Sequence, residues 1–170
     1  MRREHPFGAD FASRVATQSR DWLRARQEKR FLRCVARAWE VPFYQRLWRA
    51  AGLQPGDIRS LEDLQKLPVF SKSDLMASLA AHPPYGDYHG WDRWPLAERP
   101  PVVLHTTSGT TGRPQLVVFS PKSREVQALL VARSWHLHGV MPGDVIHSVY
   151  GHGMINGGHF VREAATHYTN

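Results

Sequence analysis

Two β-prone runs, VVLHTT (102–107) and QLVVFS (115–120), stand on either side of SGTTGRP (108–114), a stretch of small hydroxyl residues and glycines with one arginine. Short β-branched runs separated by turn residues read as strands, and the stretch between them adds little to a core. It offers backbone N–H groups and hydroxyls with little steric cover. Ser120 followed by Pro121 supplies an N-cap and a first helical residue, opening a helix over 122–138 that ends at Gly139. MPGD (141–144) is a turn and VIHSVY (145–150) reads as a further buried strand. GHGMINGG (151–158) is a second glycine-rich loop, and HFVREAATHY (159–168) a further helix. Strand, helix, strand, loop and helix in succession specify an α/β layer.

The chain upstream of Val102 has a different character. Residues 18–38 form an amphipathic helix that stops before Pro42, with Phe31, Leu32, Val35 and Trp39 at helical spacing. A second helix, 43–51, carries Tyr44, Leu47 and Trp48 and is followed by Gly52. QPGD (54–57) is a turn. Ser60 with Asp63, and again Ser71 with Asp74, are capping boxes for a short helix through Gln65 and for one reaching Ala81. Residues 83–101, rich in Pro, Trp and Tyr without periodicity, read as an ordered irregular connection. The expected division is therefore a helical region over 1–101 and an α/β segment over 102–170.

The 170 residues suffice for one domain with a core. No stretch approaches the roughly 20 apolar residues of a membrane span, and MRREHPFGAD has no apolar run behind its arginines, so no signal peptide is expected. The expected setting is cytoplasmic, without a membrane partner. Cys34, the single cysteine, forms no internal disulfide and reads as a small core residue on its helix. The net charge is +7, and residues 1–40 hold nine Arg and one Lys against five acids. Arg30, Arg33 and Arg37 fall on the face opposite the apolar stripe, the pattern of a solvated surface helix rather than of a nucleic-acid arm. No nucleic-acid partner is expected.

Taken as chemistry, HTTSGTTGRP (105–114) has neither the Walker spacing nor the three glycines of a dinucleotide fingerprint. Two readings stay open on composition: a solvent-exposed hairpin loop, and an anion cradle in which glycines admit close backbone approach and successive N–H groups form a concave site. For the second loop the alternatives are a pocket lined by Tyr150, His152, Met154 and Phe160, and a tight turn whose bulky residues pack in the core. The histidines at 136, 138, 147, 152 and 159 lack the helical pair with a carboxylate that marks a zinc enzyme, so no metal site is expected among them. His136 and His138 fall at a helix end, where a partly charged imidazole is favourable.

The order of residues in TSGTTGRP resembles the phosphate-binding loop of the adenylate-forming superfamily, the acyl-CoA synthetases, luciferases and peptide-synthetase adenylation domains. VPFYQRLWRAAGLQPGDIRSLEDLQKLPVFSKSDL (41–75), His105 and GVMPGDVIHSVYGHGMINGG (139–158) are similar to the phenylacetate–CoA ligase branch, so the resemblance runs from about residue 25 to the end. Many superfamily members carry Lys after the loop proline, where Gln115 stands here, leaving Arg113 as the loop's cation.

The resemblance implies a two-step reaction. A carboxylate attacks the α-phosphate of ATP to give an acyl-adenylate and pyrophosphate, and a thiol, usually that of coenzyme A, then displaces AMP. It implies that Ser108, Gly109, Thr110, Thr111 and Gly112 cradle the β- and γ-phosphates, with Thr107 and Arg113 at the edges, and that donors and Mg²⁺ stabilise the charge that builds there. It assigns no catalytic side chain here, since the attacking carboxylate is already ionised. The family's adenine-binding, ribose-binding and lid segments have no counterpart up to Asn170. The expectation is the N-terminal part of a carboxylate–CoA ligase for an aryl or other apolar acid, inactive alone, comprising a helical portion and the first part of an incomplete α/β layer. The alternatives are a non-catalytic remnant or subunit that pairs with a completing polypeptide or a second copy, and an adenylyl-transferring relative. An incomplete sheet exposes apolar surface and an open edge, so the isolated chain is expected to be poorly stable or to associate.

Overall fold

The computed structural model describes residue 6, residues 8–109, 114–141 and 143–168. In chain order the elements are α1 (Ala9–Phe11), running into a π-helical turn (Ala12–Ala16), α2 (Arg20–Ala38), α3 (Pro42–Ala50), a 3₁₀ helix (Leu61–Lys66) and α4 (Lys72–Ala81). Two 3₁₀ turns (Trp91–Arg93 and Leu96–Glu98) precede β1 (Val103–Thr106), β2 (Leu116–Phe119), α5 (Pro121–Leu137) and α6 (Gly157–Tyr168). The chain is mostly helical with a small sheet, a partial α/β domain, and it divides into two units, Ser19–Arg99 and Met1–Gln18 with Pro100–Asn170.

In the unit Ser19–Arg99, local signals set the helix starts. The Ser19 hydroxyl accepts from the Trp22 N–H at the head of α2, and Pro42 opens α3. Both capping boxes form, Asp63 accepting from the Ser60 amide and Asp74 from the Ser71 amide. Val35, Trp48 and Ile58 make the buried centre, with Phe31, Leu32, Leu47 and Leu67 packed around it. Trp39 meets Trp48 edge to face at 5.0 Å. Arg30, Arg33 and Arg37 are exposed, as the helical periodicity requires.

Cys34 is exposed rather than in the core. The buried stripe of α2 is centred on Val35, and Cys34 falls on the solvent side of its margin, beside Arg33.

The connection over 83–99 is pinned by Asp87, which is buried. Its carboxylate accepts two bonds from the Arg46 guanidinium, at 2.5 and 3.1 Å, and one from the Ser78 hydroxyl at 2.7 Å, while its own N–H donates to Ser78 Oγ at 3.0 Å. Burial pushes the Asp87 carboxyl up, but the bonds from Arg46 and Ser78 and the Arg46 charge outweigh it and hold the group below its ordinary value.

In the other unit, β1 and β2 pair antiparallel with Val103 opposite Phe119 and Thr106 opposite Leu116. The Ser120 hydroxyl caps α5 by accepting from the Ser123 N–H. Helices α5 and α6 pack through Ala128, Leu129, Ala132, Ala164 and Tyr168, the three alanines letting the backbones approach, and Arg124 pairs with Glu163 across them. Arg133 donates to the Pro6 carbonyl at 2.7 Å and lies over the Phe11 ring.

Residues 145–150 are not a buried strand. They have no ladder partner among the described residues, and Val145 and Val149 are 97% and 89% exposed. An extended run becomes a strand only where a neighbour takes up its backbone groups, and the open edge of β1 is met instead by residue Ile155, opposite Thr106 in a parallel bridge.

Candidate functional site

The root of the first loop is closed by Thr107. Its N–H donates to the Gln115 carbonyl at 2.9 Å, and its hydroxyl accepts from the Gln115 N–H at 3.0 Å. Beyond this clamp Thr107 and Ser108 are exposed, and Gly109 has φ of 70°, a left-handed conformation that favours glycine. Thr110, Thr111, Gly112 and Arg113 lie outside the described residues.

The second loop is tied to the same end of the hairpin. The Thr106 N–H donates to the Met154 carbonyl at 2.8 Å, and that carbonyl also accepts from His105 Nδ1 at 3.3 Å. His159 Nε2 donates to the preceding carbonyl, Gly153, at 2.9 Å. The two imidazoles are in contact with centroids 4.6 Å apart and planes tilted by 46°, and His152 sits edge-on to His159 at 5.7 Å. The structure thus brings the root of the first glycine-rich loop and the second loop together at the end of β1. Sequence spacing could not show this, because the tie runs through backbone carbonyls.

Among the residues expected to line a pocket, Tyr150, His152 and Met154 lie on the exposed loop, whereas Phe160 is 7% exposed and packs edge-on against Phe119 of β2. Gly158 is required by a close approach: a Cβ there would sit 2.3 Å from the Gly151 carbonyl oxygen.

His105 is 3% exposed, enclosed by the rings of Phe119 and His159. Burial pushes its imidazole below the ordinary value, His159 and Arg124 reinforce this, and the bond to Met154 opposes it. Since its Nδ1 faces a carbonyl, that nitrogen carries the proton, and its Nε2 has no partner among the described residues.

A separate cavity of about 620 Å³ opens where β1 begins between α5 and α6, lined by Val103, Pro121, Arg124, Ala128, Glu163 and Tyr168 among others. None of the site residues expected from sequence lines it, although its walls fall at helical spacing along α5. No three described His, Cys, Asp or Glu residues are placed to hold a metal ion, and no described helix is long and apolar enough to cross a membrane.

No family model matches the chain. Solved structures of 2-hydroxyisobutyryl-CoA ligase do. One, in complex with 2-HIB-AMP and CoA in the thioesterification state, aligns with a TM-score of 0.71 at 34% identity over 89% of this chain and 31% of that one. An open conformation aligns with a TM-score of 0.67 at 33% identity over 82% and 31%. The fold is that of part of an adenylate-forming acyl-CoA ligase. The phenylacetate–coenzyme A ligase of Thermus thermophilus is 38% identical over 145 residues, and that of Escherichia coli 37%, each match covering 85% of this chain. The chain belongs to the phenylacetate–CoA ligase-like branch and spans about 30% of the length of these relatives, as fits an N-terminal portion.

Proposed function

We propose that the chain carries the ATP-phosphate loop and the beginning of the acid pocket of a carboxylate–CoA ligase acting on an aryl or other apolar acid, and that it is inactive without the remainder of such an enzyme. The observation that carries this reading is the tie of Thr106 to Met154, which sets the root of the first loop, Thr107 with Gln115, beside the loop over 150–158. A reaction in which a carboxylate meets the α-phosphate of ATP requires adjacent anion and acid sites.

In this reading Thr107 holds the loop closed, and Ser108 and Gly109 present a hydroxyl and an amide to the phosphates, continued by Thr110, Thr111, Gly112 and Arg113. The exposed Tyr150, His152 and Met154 offer apolar surface to the acid, and Phe160 backs them from the core. Mg²⁺ and coenzyme A would supply phosphate charge neutralisation and the acceptor thiol. The domain boundary belongs near residue 101, where the helical region gives way to the loop-bearing segment. A second reading, in which a completing polypeptide covers the chain, is favoured by the exposure of Val145 and Val149.

The test is calorimetric titration of the chain with Mg·ATP and with pyrophosphate, beside ATP–pyrophosphate exchange with phenylacetate. Binding that is lost in Gly109→Val, with no exchange by the chain alone, is the expected result. Undiminished binding in Gly109→Val excludes the loop as the phosphate site.

A further inference from the structure

We propose that His105 and His159 are positioning residues: a pair of imidazoles in contact that grips two successive carbonyls, Met154 and Gly153, and so holds the acid-side loop in register with the root of the phosphate loop. The role of the pair rests on the function proposed above, but its geometry stands apart from it.

His105 projects from β1 and His159 from the first turn of α6, so the two rings reach the 153–154 segment from separate elements. Each ring presents one nitrogen to a carbonyl oxygen, which only accepts, so His105 carries its proton on Nδ1 and His159 on Nε2. The rings meet at 4.6 Å with planes tilted by 46°, and the Thr106 N–H adds a second donor to the Met154 carbonyl. A group that merely filled space at the buried His105 position would need no nitrogen. A leucine or phenylalanine would serve, and neither would leave an imidazole Nε2 buried without a partner among the described residues. The polar ring is accounted for by what its Nδ1 holds. The groups that face His105 are His159 of α6 and Arg124 of α5, and both disfavour a second positive charge there.

Two neighbouring amides make the proposal measurable. The Thr106 N–H reports the grip, because it donates to Met154, whereas the Thr107 N–H donates to Gln115 and reports the hairpin alone. In hydrogen-exchange NMR of the chain, His105→Leu should speed exchange at Thr106 about tenfold while leaving Thr107 within about twofold, the loss of one hydrogen bond. His105→Asn, whose side-chain amide can stand in for Nδ1–H, should restore protection. Unchanged Thr106 exchange in His105→Leu overturns the proposal, as does equal loss at Thr106, Thr107 and Ala164 with no rescue by Asn.

Should the variants fail to fold, the ring tautomers of the unsubstituted chain decide. Long-range ¹H–¹⁵N spectra should show Nδ1–H at His105 and Nε2–H at His159, and the opposite tautomer at either position overturns the grip. Mg·ATP titrations separate the two readings. Affinity that falls severalfold in His105→Leu and returns in His105→Asn supports the coupling, and equal affinity in all three forms overturns it. Absence of ATP binding by the unsubstituted chain overturns the phosphate-loop reading and with it the coupling, while exchange and tautomers still decide the grip.

Discussion

Gly158 and Gly151 meet at a distance that admits no side chain: a Cβ on Gly158 would lie 2.3 Å from the Gly151 carbonyl oxygen and 3.2 Å from Tyr150 Cβ. The start of α6 is thereby folded tightly onto the loop before it. Gly158→Ala should cost about 2 kcal/mol through displaced backbone. Gly157→Ala, whose new Cβ would meet the Tyr150 ring at 3.8 Å, should be neutral or slightly stabilising. Urea unfolding of the two variants side by side checks the contrast, which equal effects would abolish.

The Asp87 cluster predicts a loss of stability in acid. Asp87 is held below its ordinary value, and Asp63 is brought down to about 2, chiefly by Lys66 and the Arg59 amide. A carboxyl with a depressed folded pKa contributes stability that is present above its unfolded value, about 3.8, and lost as pH falls through the folded value. Asp87→Ala should cost about 2 kcal/mol at neutral pH by leaving Ser78 and Arg46 without their acceptor. It should also flatten the acid limb of stability against pH. Urea midpoints from pH 7 down to pH 2 test both.

His105 titrates in the other window. Its folded pKa is lowered by burial, so the unfolded chain takes up a proton as pH falls through the ordinary imidazole value of 6.5 while the folded one does not. Stability should decline over that fall until the folded value is reached, with His159 and Arg124 resisting protonation from the facing helices. The His105 ring resonances should move only below the ordinary imidazole value of 6.5. A His105 midpoint at or above that value would contradict the buried placement.

The exposed run over 145–150 gives a surface prediction. Val145→Lys with Val149→Lys should change unfolding free energy by less than about 0.5 kcal/mol per site, as solvent-facing substitutions do. It should also reduce self-association in sedimentation. Loss of folding would restore these residues to a buried strand.

Most of the helical portion was legible in the sequence because its signals are local. Ser60 with Asp63, Ser71 with Asp74, and Ser120 before Pro121 each act within one helical turn, and each forms as read. The hairpin was legible because its strands adjoin the loop. What failed depended on distant neighbours. VIHSVY has the composition of a strand, but composition cannot supply the strand beside it. Cys34 lies one position from Val35, where a 100° rotation about the helix axis separates core from solvent. The meeting of His105 with His159 could not be read at all, since no spacing rule links a residue on β1 to one on α6.

The exposed 145–150 segment also makes the molecule separable. It is the kind of chain a protease reaches first, yet α6, beyond it, is attached by more than its covalent link. Ala164 and Tyr168 pack against Ala128, Leu129 and Ala132, and Glu163 pairs with Arg124. A nick at Val149 would therefore yield two peptides that stay together, and the same position is where this unit could be made as two halves and reassembled by mixing.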